Sequence, residues 1–263
     1  MNLGAKKRFE WKSRTPIDYY LISVAVAKYK EYNVYAKPLY LNDSILVQTF
    51  VYANAVNDNF WKNYEKAQIN KIPSMIELYS RLYGMYPFHK EKYGHCMAAI
   101  GGGMEHQTMS TMGTLAYFWL NAHELAHQWW GDNVTCKSWS DIFINEGFAS
   151  YSELVALEYL STPTSFQSSI NDMHNSVMSK PGGSIHFPGA DTINTSRIFS
   201  GRLTYDKGGA ILRTLQFVTN NDSLWFNTLR GFQNAYKNNT ASVADFMNFY
   251  HTSTSIDPTV FFN

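Results

Sequence analysis

The sequence HELAH occupies residues 123–127, and Glu146 follows 19 positions after His127, within the segment NEGFA. Side chains four residues apart share one face of a helix, so His123 and His127 can direct both imidazoles at one metal ion. Glu124 is then close enough to a water on that ion to act as a general base. A catalytic zinc takes three protein ligands, and Glu146, at the head of a second predicted helix, completes the set. The spacing therefore predicts a zinc centre built on two helices that lie against each other.

The same residues can also be explained without a metal. Two histidines on one helix face can be core or surface residues, and the helix dipole favours a carboxylate such as Glu146 at a helix N-terminus. A ligand histidine needs a partner for its other ring nitrogen, and Glu153, two turns after Glu146, is a candidate. Asp141 is a second candidate of this kind. Either of these carboxylates can instead be an ordinary surface residue.

The composition is typical of a folded globular chain. Hydrophobic residues make up 45% and charged residues 16% of the 263 residues, which provides enough apolar material for a substantial core. The formal net charge of +1 argues against a nucleic-acid partner. No apolar run is long enough to form a membrane segment, and no signal peptide is visible. Cys96 and Cys136 stand far apart and predict two free thiols.

Strand-like segments come first along the chain and helix-like segments follow. This succession predicts an α+β domain. A polar, glycine-containing stretch at Ser179–Leu203 predicts a long loop between two of the helices. The predicted strands are Arg8–Lys12, Tyr19–Ala27, Tyr29–Ala36, Leu46–Tyr52 and Gly94–Ile100. One predicted helix begins near Pro73, and the others cover Leu115–Trp130, Asn145–Leu160, Tyr205–Asn220 and Val243–Tyr250.

Several segments in a fixed order carry a family resemblance. Residues 123–149 combine HELAHQWWGD with a later Val-Thr pair, a tryptophan and NEGFA. Residues 102–106 read GGMEH, similar to a G-x-M-E-N motif, and residues 204–208 read TYDKG. Together they resemble the aminopeptidase N family of zinc peptidases, a gluzincin family that includes the leukotriene hydrolase. Residues 11–27 are similar to that family's entry into its catalytic domain.

The resemblance implies a thermolysin-like zinc peptidase domain of the α+β class, with a small mixed sheet packed on helices. Residues 1–263 would form this catalytic domain. Residues 1–27 would lie at the junction with a missing N-terminal β domain, and the family's C-terminal helical region would also be missing. The missing domains of the parent chain are thus expected partners, and the isolated domain is expected to be weakly active or inactive. Localisation stays open between cytoplasmic and exported.

The implied activity is that of a zinc metallo-aminopeptidase with one Zn²⁺ per chain. It would hydrolyse the N-terminal peptide bond of peptides that have a free N-terminus, using a zinc-activated water and Glu124 as general base. Glu105 would bind the substrate ammonium group, while the glycine-rich edge before it would lie along the substrate backbone like an added strand. Tyr205 would donate a hydrogen bond to the oxyanion. The substrate-binding set implied by the resemblance is Gly102, Gly103, Met104, Glu105 and His106.

His106 departs from the asparagine of the family motif. An imidazole can still donate a hydrogen bond, but it is bulkier and can become charged, so a changed amine pocket or a changed preference for the first residue is expected. Without the resemblance, Tyr205 would be interpreted as a core tyrosine at the start of a helix. Three other functions stay open: an endopeptidase on the same scaffold, an epoxide hydrolase, and a peptide-binding module that has lost catalysis.

Overall fold

A mixed sheet of five strands lies beside the helices that carry the candidate metal ligands. Its strands, in the order in which they lie across the sheet, are β3 (Tyr29–Ala36), β4 (Ile45–Tyr52), β5 (Tyr93–Met97), β7 (Ser110–Met112) and β6 (Gly103–Met104). The two central pairings are parallel and the two outer pairings are antiparallel. The predicted α+β class with a small mixed sheet is therefore confirmed.

The computed structural model describes residues 2–4, 6–8, 10–187 and 192–262. Two further pairs of short strands lie outside the main sheet within these residues. The first pair is an antiparallel hairpin of β1 (Asn2–Leu3) and β2 (Lys6–Lys7). The second is a parallel pair of β8 (Val134–Cys136) and β9 (Asn239–Ala241).

Helices make up most of the second half of the chain. None of the described helices is long and apolar enough to cross a bilayer. The helices are α1 (Lys66–Ile69), α2 (Ile72–Tyr83), α3 (Phe118–Ala126), α4 (Phe143–Leu160), α5 (Pro163–Met178), α6 (Thr195–Ile198), α7 (Gly208–Thr219), α8 (Asp222–Tyr236), α9 (Val243–Thr254) and α10 (Thr259–Phe262), with π-helical turns at Trp61–Glu65 and Gly201–Lys207.

The core joins the sheet to the helices behind it. Every second residue of β4 is buried, as the two-residue period of a strand requires. Ile45, Val47 and Val51 of this strand belong to one continuous apolar cluster with the buried face of α2 and with α3, α4 and α8. Helix α4 is buried along most of its length and packs between α3 and α7. The sequence prediction of this helix is confirmed, with its start two residues earlier.

Helix α3 is shorter than predicted, and its C-terminal end shapes the candidate site. It ends at Ala126, although the backbone N–H of His127 still donates to the carbonyl of His123 at 3.2 Å. The chain then turns sharply, and Gly131 adopts a φ of 134°, which a residue with a side chain rarely adopts. The helical relation of the two histidines is therefore kept, although the regular helix ends one residue before His127.

Two predicted strands near the N-terminus are wrong. Residues 22–28 are irregular and exposed, and Tyr19–Leu21 forms a single 3₁₀ turn. Val24 and Val26 are 86% and 92% exposed, so a β-prone composition without a neighbouring strand did not produce a strand. Of the predicted strand at Arg8–Lys12, Phe9 lies outside the described residues, and the others are not in a strand.

The predicted loop at Ser179–Leu203 is confirmed over 179–187, but α6 interrupts it and the π-helical turn overlaps its end. Residues 188–191 of this loop lie outside the described residues. The helix predicted from Tyr205 to Asn220 continues that π-helical turn as α7. The predicted helices near Pro73 and Val243 are confirmed, and Ser242 and Asp245 form a capping box at the start of α9.

Candidate metal centre

Three side chains from α3, its C-terminal turn and α4 converge on one point. The Nε2 atoms of His123 and His127 are 3.0 Å apart, and the Oε2 atom of Glu146 is 3.2 Å and 3.3 Å from them. All three residues are buried. A tetrahedral zinc with bonds of 2.0–2.2 Å separates neighbouring ligand atoms by roughly 3.3 Å. The spacing of these three atoms is therefore the spacing that such an ion requires.

The far nitrogen of each imidazole is held by an acceptor. The Nδ1 atom of His123 lies 2.6 Å from Oε1 of Glu153, and Nδ1 of His127 lies 2.8 Å from the carbonyl oxygen of Trp130. With a proton on Nδ1 in both rings, both Nε2 lone pairs point to the shared centre. Two lone pairs at this distance repel each other unless a cation or a proton lies between them. The donor set thus fits a metal ion.

The charges around the centre also favour a cation. Burial disfavours a charged His123, but its hydrogen bonds to Glu146 and Glu153 outweigh this and hold its pKa well above the ordinary value. For His127, burial is similarly outweighed by the charges of Glu105 and Glu146, so its pKa rises to about 9. The two histidines therefore lie in a strongly negative environment, and a divalent ion would supply the positive charge directly.

Glu124 lies in the lining of the same cleft as the three converging residues. It is 4% exposed, and its Oε2 atom has no hydrogen-bond partner among the described residues. Burial raises the pKa of Glu124 to about 7, against the lowering effect of the two histidines. Gly103 on β6 faces this carboxylate, and a Cβ atom at Gly103 would lie 2.6 Å from Cδ of Glu124. Glycine at this position lets the sheet edge approach the carboxylate.

Tyr205 reaches the centre from the π-helical turn before α7. Its ring stacks on His123 with 5.9 Å between ring centroids and an interplanar angle of 25°. Burial, followed by the charges of Glu146, Glu105 and Glu124, raises the pKa of Tyr205 above its ordinary value. The hydroxyl therefore stays protonated and can act as a hydrogen-bond donor. Single π-helical turns are frequent at functional sites.

Glu105 follows β6 and lies on the His127 side of the centre. One carboxylate oxygen of Glu105, one of Glu124 and a ring nitrogen of His127 lie within 4.8 Å of one another. Glu105 is 7% exposed, and its backbone carbonyl accepts a hydrogen bond from Gln128, at the end of the α3 turn. The Gln128 amide oxygen also accepts from the backbone N–H of Thr108. Gln128 thus ties the loop that carries Glu105 to the metal helix.

The structure brings most of the sequence-predicted residues to one cleft of about 630 Å³. His106 and Asp141 are outside its lining. His106 is half-buried and shares a hydrogen bond of 2.8 Å with the hydroxyl of Thr111, which braces the β6–β7 turn. Asp141 accepts hydrogen bonds from Ser138 and from the backbone N–H of Val243 at the start of α9. The structure therefore does not bring Asp141 to either histidine. The predicted residues that line the cleft are Gly102, Gly103, Met104, Glu105, His123, Glu124, His127, Glu146, Glu153 and Tyr205.

Sequence reasoning missed several other lining residues. Trp119, Met173, Phe199 and Asp206 also line the cleft. Asp206 lies inside the segment 204–208 that carries the family resemblance, and Trp119 lies one helical turn before His123, so both could have been found from the motifs. Met173 lies in a polar helix with no motif, and Phe199 lies in the predicted loop, so neither gave a local signal.

Comparison with known proteins identifies the family. Residues 102–262, more than half of the chain, match the peptidase family M1 domain, and the chain belongs to this family. Rabbit (Oryctolagus cuniculus) aminopeptidase N is 41% identical over 108 residues, which cover 37% of this chain and 11% of that protein. Aminopeptidase A of Gloydius brevicauda is 25% identical over 227 residues, which cover 78% of this chain and 22% of that protein. The chain thus spans about a tenth to a fifth of the length of these relatives.

Solved structures share the fold over nearly the whole chain. An M1 zinc metallopeptidase from Deinococcus radiodurans superposes with a TM-score of 0.77 at 20% identity, covering 95% of this chain and 54% of that one. A two-domain M1 zinc metallopeptidase mutant bound to L-tryptophan gives a TM-score of 0.79 at 19% identity, with 95% and 54% covered. At this identity the likeness establishes the shared fold.

Proposed function

We propose that this chain is the thermolysin-like catalytic domain of a zinc aminopeptidase and binds one zinc ion. The observation that carries the proposal is the convergence of His123, His127 and Glu146, with the Glu105 carboxylate beside His127. Three neutral or anionic ligands and an open fourth position are typical of catalytic rather than structural zinc. A second carboxylate at the edge of the same centre is what recognition of a substrate ammonium requires.

The bound zinc would act as a Lewis acid on the peptide carbonyl and on the attacking water. Glu124 would accept the proton of that water and pass it to the leaving amine, a role that its buried and unpartnered oxygen suits. Tyr205, held against His123, would donate a hydrogen bond to the developing oxyanion. Glu153 and the Trp130 carbonyl keep the protons of the two ligand rings on Nδ1.

Binding of the substrate N-terminus would select the exopeptidase reaction. The ammonium group would pair with Glu105, and the substrate backbone would extend past Gly102 and Gly103 on the outer edge of β6. An internal segment of a longer peptide has no ammonium group to offer, so Glu105 would stay buried without a cationic partner in that complex. This discrimination separates an aminopeptidase from an endopeptidase on the same scaffold.

The proposal is tested by hydrolysis assays on the zinc-loaded chain. A peptide with a free N-terminus is expected to lose its first residue, and the same peptide with an acetylated N-terminus is expected to persist. The Glu124→Gln variant should bind zinc normally and lose at least a hundredfold in kcat, because the general base is gone. Equal cleavage of both peptides would indicate an endopeptidase. Full turnover by Glu124→Gln would overturn the proposed role of Glu124.

A further inference from the structure

The two ends of the cleft differ in chemistry. Glu105 lies on the His127 side of the centre. On the His123 side, Glu153 hydrogen-bonds the imidazole, and the ring of Tyr205 stacks on it. Asp206 follows Tyr205 directly and lines the same cleft. This inference rests on the proposed function: with the ammonium group at Glu105, the residues after the scissile bond extend towards Glu153 and Asp206.

The lining of this cleft combines an apolar wall with the carboxylate of Asp206. Met173 of α5 is 9% exposed, and Phe199 and Trp119 are 41% and 48% exposed. All three residues line the cleft together with Leu120 and Asp206. The apolar surfaces of Phe199 and Trp119 therefore remain partly exposed in the same cleft as the Asp206 carboxylate.

Asp206 has no cationic partner among the described residues. One of its oxygens accepts a hydrogen bond from the Ser176 hydroxyl of α5, and no lysine or arginine of the described chain forms a salt bridge with it. The nearest cations in sequence are engaged elsewhere, since Lys207 donates to the carbonyl of Gly183 and Arg202 to the carbonyl of Lys180. Burial raises the pKa of Asp206, so a cation bound beside it would offset a cost that the folded chain otherwise carries.

The overall charge of the cleft also favours the binding of a cation. Its described lining contains no lysine and no arginine. One zinc ion with two neutral histidines would leave this lining with a net negative charge, which attracts cations and repels acidic side chains. The carboxylates that line the cleft are Glu105, Glu124, Glu146, Glu153 and Asp206.

We propose that Asp206, with the apolar wall of Met173, Phe199 and Trp119, forms a subsite for a basic side chain on the residue that follows the scissile bond. Arginine and lysine fit this arrangement because each has an apolar stem that can lie along the wall and a cationic head that can pair with the carboxylate. The substrates would then be peptides with arginine or lysine in the second position. Asp206 acts as a specificity-determining residue and takes no part in the chemical step.

The test compares two peptides that differ by one charge at constant shape, leucyl-arginyl-alanine and leucyl-citrullyl-alanine. Binding is measured by isothermal titration calorimetry on the zinc-loaded Glu124→Gln protein, so the result does not depend on turnover. The arginine peptide is expected to bind about tenfold more tightly, as one charge-assisted hydrogen bond predicts. Adding Asp206→Asn should bring the ratio of the two affinities to about one, and the affinity for the citrulline peptide should change little.

Asp172→Asn is the matched control, because Asp172 is an exposed carboxylate on α5 next to Met173 and outside the cleft lining. It should leave the ratio at about tenfold. A ratio of about one in the protein with Asp206 intact, or an unchanged ratio after Asp206→Asn, would overturn the subsite. Equal losses from Asp172→Asn and Asp206→Asn would also overturn it, since they would show only a long-range effect of charge. Failure of both peptides to bind would contradict the proposed function as well as the subsite.

Discussion

Gly147 of α4 and Gly208 of α7 meet where the two helices cross, and a Cβ atom at Gly208 would lie 2.8 Å from the Cα atom of Gly147. A real Cβ atom does not come this close to a backbone atom, so the crossing distance depends on the absence of both side chains. Gly147 follows Glu146, and Gly208 directly follows the π-helical turn that carries Tyr205. The glycine pair therefore sets the distance between a metal ligand and the proposed oxyanion donor.

Gly208→Ala should destabilise the fold by about 1–3 kcal/mol, the usual cost of overpacking a rigid core. Urea unfolding measures this change. Gly201→Ala is the matched control in the same π-helical turn, because a Cβ atom at Gly201 meets nothing within 4 Å. Its effect should be below about 1 kcal/mol. Equal stability of Gly208→Ala and the wild type would show that the two helices can separate without cost.

Glu153→Ala should weaken zinc binding about 10- to 100-fold, because the Nδ1 proton of His123 loses its acceptor. Competition with a chromogenic chelator gives the affinity. Glu153→Gln keeps an acceptor oxygen without the charge, so it should weaken zinc binding less than Glu153→Ala does. The control is Glu158→Gln on the same helix, whose carboxylate pairs with Arg213 away from the metal centre. If Glu153→Ala bound zinc like the wild type, the hydrogen bond to His123 would have no role in metal binding.

Glu105→Gln should lower kcat/KM for peptides with a free N-terminus by about 10- to 100-fold, because a charge-assisted hydrogen bond to the ammonium group is replaced by a neutral contact. Most of the loss should appear in KM if Glu105 binds the ground state and the transition state alike. Steady-state kinetics of wild type and variant measure this split. A variant with an unchanged kcat/KM would show that the ammonium group binds elsewhere.

His95 should make the fold sensitive to mild acid. Burial lowers the pKa of His95 to about 3, while the unfolded chain takes up this proton near pH 6.5. When the folded-state pKa of a base lies below its unfolded-state pKa, the free energy of unfolding decreases as the pH falls from the higher to the lower of the two values. His95 alone should therefore lower the free energy of unfolding by about 2 kcal/mol between pH 7 and pH 5.

Urea unfolding of wild type and His95→Asn at the two pH values isolates this contribution from other titrating groups. Asparagine can keep a hydrogen bond to Thr49, which now pairs with Nδ1 of His95 at 3.1 Å. The variant should lose about 2 kcal/mol less than the wild type between pH 7 and pH 5. Parallel losses in the two proteins would mean that His95 is protonated in the folded state near its ordinary pKa.

Sequence reasoning worked best where the chemistry depends on local spacing. The positions of His123, Glu124 and His127 follow from one helical turn, and the partnership of Glu153 with His123 follows from two turns of α4. For Asp141, local spacing did not predict the partner. Asp141 was a second candidate partner for a ligand histidine, but its carboxylate caps the start of α9, an element about a hundred residues away.

The errors in the fold have two physical causes. Tyr19–Ala27 has a strand-like composition, but a strand also needs a partner, and local sequence does not reveal one. Helix α5 was not predicted because its residues are mostly polar and Met173 is its only buried one among those described. Helix α8 was also not predicted, although Trp225, Leu229 and Phe232 lie at helical spacing and could have indicated it.

Elemental analysis of the purified chain measures whether His123, His127 and Glu146 bind one zinc ion. We expect about one zinc per chain in the zinc-supplemented wild type and little or none in a folded Glu146→Ala variant, with circular dichroism confirming the fold of both. The Glu158→Ala variant should retain its zinc. A folded wild-type chain without zinc, or a Glu146→Ala variant that binds zinc as tightly as the wild type, would show that these three residues do not form the zinc site.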